Sequence, residues 1–293
     1  MSVATKTPRI GFRTNAFESR NLVVFLLIAF GWSWFWWLLF VFDVLSWPAG
    51  AGTDDVEFSP MLFLLIITPF GPTIAGFAVT AVTEGRGGVR CLWRRFWSRD
   101  QSIKWLLVAL LFFPAIKLIS NLVTRTVDGE PYPLFEDAWL TGFIGVLITN
   151  TFINGGMSEE FGWRGYVLPR FQAKWNALAS SVVLGVVWAS WHIPLWFIPE
   201  DEHSETFFGT RLVAWLAISV MMTWIFNNTN GSVLAVMVFH GSANATGGSL
   251  FWCCGSSLWH YRGVEVVAAV LLIAIFGPTE LVRRRRHGAE VQR

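Results

Sequence analysis

Three short stretches carry nearly all the polar chemistry found inside otherwise apolar sequence: Ser158-Glu159-Glu160-Phe161-Gly162-Trp163-Arg164, Trp188-Ala189-Ser190-Trp191-His192 and His240-Gly241-Ser242-Ala243-Asn244. Residues four apart share a helix face, so Glu160 and Arg164 form a natural ion pair, leaving Glu159, rotated by ~100°, to face something else. His240 and Asn244 are also four apart and offer an imidazole and a carboxamide to one small volume. Glu159 with His192 could orient and deprotonate a water, and His240 with Asn244 could donate hydrogen bonds to a developing oxyanion. That is the equipment of hydrolysis. Each cluster alone has a plainer use, as interhelical glue or an interfacial ion pair. Three together, on three helices, point to a site. Zinc hydrolysis of the HExxH type is excluded, because Ile193 follows His192 and Gly241 follows His240. An aspartyl mechanism lacks its two central Asp. A serine mechanism stays open through Ser158 and Ser242, each close behind a glycine.

The elements that must position these residues are membrane spans. The chain has 293 residues, 54% hydrophobic and only 14% charged, with mean hydropathy +0.49. A soluble domain carries about 25% charged residues. Eighteen Trp and 26 Phe against three Tyr suit contact with lipid and headgroups. Apolar runs near 21–42, 60–83, 103–123, 138–158, 176–198, 211–227, 231–252 and 263–282 are each long enough for ~30 Å of hydrocarbon. The expected fold is therefore an all-α polytopic membrane protein, a bundle of eight transmembrane helices around an intramembrane polar cavity. Residues 1–20 form a cytoplasmic N-terminal segment, 21–282 the transmembrane core with the motifs in 138–250, and 283–293 a basic cytoplasmic tail. The first run is too long, and too rich in Trp, for a cleavable signal. The net charge of +2 gives no argument for nucleic acid. Cys91, Cys253 and Cys254 make no disulfide framework.

Lys and Arg near span ends are retained in the cytoplasm. Basic and acidic connections alternate: Lys6 to Arg20, then Asp43 to Glu57; Arg86 to Lys104, then Asp128 to Asp137; Arg164 to Lys174, then Glu200 to Glu205; and finally Arg283 to Arg286. Both termini should be cytoplasmic. Helix four, continued past Arg164 to about residue 170, puts Glu159 ~16 Å above its cytoplasmic end, with His192 ~21 Å and His240 ~14 Å up their own helices. The clusters then converge in the cytoplasmic half or near the midplane, and the site is expected to open toward the cytoplasm. Pro69, Pro72, Pro114 and Pro194 should kink or break their helices and make room for it. Lys117 and Glu265 are expected to snorkel to the outer interface, and His203 falls in a connection without a role.

In order and approximate spacing, the three motifs resemble those of the CAAX-processing and bacteriocin-self-immunity (CPBP, or Abi) protease family, which reads EExxxR, FxxxH and HxxxN on an eight-helix core. Glu159 to Arg164 fit the first, His192 the second, and His240 with Asn244 the third; Trp188 stands where the family more often has Phe. The resemblance covers about 138–250. It implies an intramembrane endopeptidase, CAAX prenyl protease-like, cutting a membrane-associated peptide or protein substrate, prenylated or leader-type. Glu159, His192, His240 and Asn244 would be catalytic, with Glu160 and Arg164 in support. The family is often labelled metalloprotease, and Glu159, His192 and His240 could supply three zinc ligands. A metal-free, Glu/His-activated water is the favoured expectation, since Asn244 suits an oxyanion donor better than a ligand. The rival class is a transporter, or an immunity or scaffold protein, using the same Glu and His residues for proton or ion handling.

Overall fold

The computed structural model describes residues 19–48, 60–97, 102–129, 139–247 and 255–282, and these are all-helical. In chain order the helices are α1 (Ser19–Val41), α2 (Pro60–Ile67), α3 (Gly71–Arg94), α4 (Ile103–Asp128), α5 (Trp139–Phe152), α6 (Gly156–Glu160), α7 (Leu168–Gln172), α8 (Ala177–Trp191), α9 (Phe208–Asn228), α10 (Val233–Gly247) and α11 (Gly255–Phe276). A 3-10 turn, Thr68–Phe70, joins α2 to α3, a π-helical stretch, Phe161–Val167, joins α6 to α7, and a second 3-10 turn, Ile193–Phe197, follows α8. Among the described residues six helices are long and apolar enough to cross a membrane: Ser19–Val41, Phe63–Arg94, Ile103–Asp128, Ala177–Phe197, Phe208–Asn228 and Leu258–Phe276. Only 22% of the apolar window of α1, and the same share of the last span, is buried within the protein. The remainder, including Leu27, Phe35, Val270 and Ile275, faces outward and needs lipid.

Six of the expected eight spans are met by single long helices, and the described parts of α5 and α10, with 14 and 15 residues, cover about 21–22 Å each. Helix four, expected to run unbroken to about residue 170, is also interrupted at residues 153–155. The reason is local. Gly155 takes φ +64, its N–H is held by Asn154 Oδ1 at 3.0 Å, and a Cβ there would lie 3.0 Å from Asn244 Nδ2 and 3.1 Å from His240 Nε2. Only glycine combines that backbone with that approach. The chain then resumes as a helical segment through the first motif to Gln172.

Hydrogen bonds mark one end of the bundle. Arg95 O accepts from Val233 N, Thr279 O from Ala177 N, and Leu281 O from Asn228 Nδ2. The exposed cations Arg20, Arg86, Arg90, Arg94, Lys104 and Lys174 lie at this same end. The opposite end carries Asp43, Asp128 and the connection from Pro199 to Phe207 with Glu200, Asp201, Glu202 and Glu205.

Prolines distribute the backbone strain, and other helices relieve it. A proline lacks the N–H that would bond the carbonyl four residues before it, which in lipid must find another donor. Pro72 frees Thr68 O, and Ser33 Oγ of α1 donates to it at 2.7 Å. Pro114 frees Leu110 O, and Ser242 Oγ of α10 donates at 2.7 Å. Pro169 frees Gly165 O, and Arg95 Nη1 donates at 2.8 Å. Burial pushes the Arg95 guanidinium down to about 10, still cationic at neutral pH. Thus Pro114 does not break α4, which continues through it. Pro194 acts differently, ending α8 so that His192 stands at its C-cap.

Ser242→Ala is expected to destabilise the protein by about 1–3 kcal/mol, because it leaves the half-buried Leu110 carbonyl that Pro114 frees without its donor. Ser190→Ala, which removes only a bond to Val186 O of its own helix, should be near neutral. Thermal midpoints in detergent distinguish the two, and equal midpoints would refute the cross-helix role.

Candidate active site

Glu160 sits at the end of α6 and Arg164 inside the π-helical stretch, both fully buried. Arg164 Nη1 donates to Glu160 Oε1 at 3.0 Å, so the four-residue spacing does form the expected pair. The same oxygen meets His240 Nδ1 at 2.7 Å. A carboxylate only accepts, so Nδ1 carries the proton and Nε2 is left to face the cavity. Gly162 between them lets α3 approach: a Cβ there would fall 2.2 Å from Pro72 O.

Glu159 is turned away from this pair. Trp188 Nε1 donates to its Oε2 at 2.6 Å, and Arg164 Cζ lies 4.7 Å from the centroid of the Trp188 ring. His192 Nδ1 meets Trp188 O at 2.8 Å, which again fixes the proton on Nδ1 and leaves Nε2 as an acceptor. The Trp188 ring contacts both imidazoles edge-on, with centroids 5.6 Å from His192 and 5.6 Å from His240. Trp188, which stands where the family more often has Phe, is thus the hydrogen-bond partner of Glu159, a role that residue type could have suggested through its indole N–H. Asn244 donates from Nδ2 to Asn150 Oδ1 at 2.9 Å, which keeps one amide hydrogen for another acceptor. Asn150 was not anticipated, since it lies within the apolar run of α5.

Glu159, His192, His240 and Asn244 all line one cavity of about 600 Å³. Ligand atoms of Glu159, Glu160 and His240 lie within 4.8 Å of one another, and among the described residues this is the only such group. His192, named with Glu159 and His240 as a zinc ligand, does not join it. The two serines are engaged elsewhere: Ser158 Oγ donates to Gly155 O at 3.2 Å, and Ser242 Oγ to Leu110 O. Both are fully buried, which removes the ground for a serine nucleophile.

The cavity leads toward the acidic end of the bundle. Its far wall is made by Trp47, Glu200, Glu202, Glu205, Arg211, Gly247 and Arg262, all from the acidic end, and no residue of the basic end lines it. His203 also lines it, 5.8 Å from His192 between ring centroids and held by Asp201 Oδ1 at 2.5 Å. Glu265 does not snorkel: it is 1% exposed, with both oxygens held by Arg262 at 3.0 and 2.8 Å.

Residues 137–246 match the family model of the type II CAAX prenyl endopeptidases, Rce1-like. The chain is also similar to a CAAX prenyl protease 2 of Methanococcus maripaludis, 24% identical over 216 residues, which cover 69% of this chain and 78% of the relative. The family match spans all three motifs. The resemblance read from those motifs is thus borne out, and the chain is a CAAX prenyl protease-like endopeptidase, a hydrolase. That favours hydrolysis over the transporter reading.

Arg164→Ala is expected to cut folded yield and stability by about 3–5 kcal/mol, because it strands the Glu160 carboxylate in the interior. Trp188→Phe should fold normally, since it keeps the aromatic surface, and lower turnover by no more than about a hundredfold through loss of one charge-assisted hydrogen bond. Size-exclusion profiles and initial rates on purified protein check both. A monodisperse Arg164→Ala protein with a wild-type midpoint would refute the first.

Proposed function

We propose that the chain hydrolyses a peptide bond of a membrane-associated substrate, of the CAAX type or a leader-like peptide, through a water activated by Glu159 and His192. The observation that carries this is the hydrogen-bonding capacity left over. Glu159 keeps one oxygen, His192 and His240 each keep Nε2, and Asn244 keeps one amide hydrogen, all on one cavity. Gly155, without a side chain, leaves room beside His240 Nε2 and Asn244 Nδ2.

In this reading Glu159 and His192 take a proton from water as its oxygen attacks the scissile carbonyl carbon. The carbonyl π electrons move onto oxygen. His240, oriented by Glu160, and Asn244 donate to that oxyanion. Collapse breaks the C–N bond, the held proton passes to the departing nitrogen, and the products are a carboxylic acid and an amine. Zinc fits this donor set poorly. Glu160 in the converging group is already committed to a buried guanidinium and to His240, and His192 stands outside that group. We favour a metal-free site, with both termini cytoplasmic and eight crossings in all. The interrupted α5 to α7 stretch, with α10, supplies the two crossings beyond the six long helices, and the cavity lies at membrane depth.

Glu159→Gln should retain the wild-type thermal midpoint and lose cleavage by a factor of at least about 10³, since it keeps shape and removes the base. The assay is mass spectrometry of products from a farnesylated CAAX peptide in detergent. Activity should survive exhaustive chelation, with elemental analysis of the treated protein as the control. Wild-type rates in Glu159→Gln, or activity that zinc removal abolishes and zinc restores, would overturn the respective part.

A further inference from the structure

We propose that the last part of α3, residues 86–94, is a binding surface for the headgroups of anionic phospholipids, lying along the membrane boundary at the basic end of the bundle. The proposal goes beyond the hydrolase reading and does not depend on it. Two observations carry it, and a third gives its consequence. The first is that α3 folds back. In one straight helix Phe77 and Trp93 would stand about 24 Å apart along the axis, yet their ring centroids are 6.3 Å apart. The fold is made at Gly85, with φ +64 and ψ −162, a region essentially reserved for glycine. Gly88 permits the return, since a Cβ there would fall 2.3 Å from Glu84 Cβ.

The second observation is the face that this short helix presents. Residues four apart are turned by only ~40°, so Arg86, Arg90 and Arg94 share a face. All three are exposed, and none forms an ion pair among the described residues. No acidic residue stands between Glu84 and Asp100, and Glu84 is taken by Arg170 at 2.6 Å. Trp93 and Trp97, 54% and 62% exposed, flank the arginines, while Leu92 is buried and Val89 and Phe96 are half-buried behind them. Guanidiniums beside exposed indoles suit the headgroup layer. Setting the orientation of a span needs only the charge, and neither the fold at Gly85 nor the two indoles. Each basic side chain near an anionic surface favours it about fivefold, so three together supply about a hundredfold. The third observation is what the helix rests on. Trp93 stacks on the fully buried Phe161 at 5.5 Å and 3°, and the next residue of the chain, Arg95, donates from Nη1 to Gly165 O at 2.8 Å. A headgroup that steadies this helix therefore steadies the π-helical stretch that carries Arg164.

The test reconstitutes the full chain in nanodiscs of phosphatidylcholine alone, or of an equal mixture with phosphatidylglycerol. It reads the thermal midpoint and, by native mass spectrometry after transfer to detergent, the lipids retained. Wild type should retain phosphatidylglycerol in preference to phosphatidylcholine and melt higher in the mixed discs. The triple variant Arg86→Gln, Arg90→Gln, Arg94→Gln should match the wild-type midpoint in phosphatidylcholine, lose the preference by at least about tenfold and lose the gain in midpoint. Lysine at the same three positions should keep both, because the charge remains. A control removes equal charge elsewhere, through Arg284→Gln, Arg285→Gln and Arg286→Gln in the tail, and should behave as wild type. For wild type itself, about 1 M salt, which shortens the screening length to about 3 Å, should abolish the gain in midpoint. Equal preference in the Arg86, Arg90 and Arg94 variant, its loss in the tail variant instead, or a gain that persists at high salt would overturn the inference.

Discussion

The carboxylate of Glu160, fully buried beside an equally buried Arg164, is the constraint from which the site is built. Moving two such charges out of water is costly, and their attraction offsets the cost only if the remaining hydrogen-bonding positions are well filled. Glu160 Oε2 and Arg164 Nε and Nη2 find no such partner among the described residues, and each contact that the pair does make orients a catalytic group. Glu160 Oε1 holds His240 on α10, and the Arg164 guanidinium lies over the Trp188 ring of α8, whose indole N–H holds Glu159. Thus one ion pair fixes three helices relative to one another. It does so at the cost of stability that an apolar core would supply, which is the expected trade where position matters more than strength.

The same economy of donors governs the scaffold. Serines and an arginine from neighbouring helices supply the hydrogen bonds that prolines remove, at Thr68, Leu110 and Gly165. Two of these links tie directly to the site, since Ser242 lies between His240 and Asn244 and Gly165 follows Arg164. Bends that create space and bonds that limit their looseness therefore occur together. His192 shows the same coupling: Pro194 ends α8, and the imidazole at that end is turned by the Trp188 carbonyl.

Much of this was legible in the sequence. The spacing of Glu160 to Arg164 gave their pairing and the separation of Glu159, because a helical offset is local and deterministic. Polar residues in apolar runs stood out for the same reason that membranes tolerate few of them. What failed was non-local. The break at Gly155 depends on contact with Asn244 and His240, ninety or so residues away in sequence. Nor could residue type show that the His203 connection folds back over His192, or that Glu265 finds Arg262 instead of water.

Chemistry and access are encoded by different parts of the chain. The motif residues specify a depth: from Gln172, Glu159 lies about 20 Å along its helical segment, near the middle of a bilayer. Depth alone has no direction. Direction comes from which helix ends are splayed, and here α8 ends at His192 and α5 gives way at residues 153–155. Both interruptions lie toward the acidic end, whereas the basic end is closed by backbone bonds between residues 95 and 233 and between 177 and 279. Space opens where helices end and closes where they clasp. The charge pattern orients that asymmetric object in the membrane without touching the catalytic groups, so a chain with the same motifs and reversed terminal charges would perform the same chemistry on the opposite face.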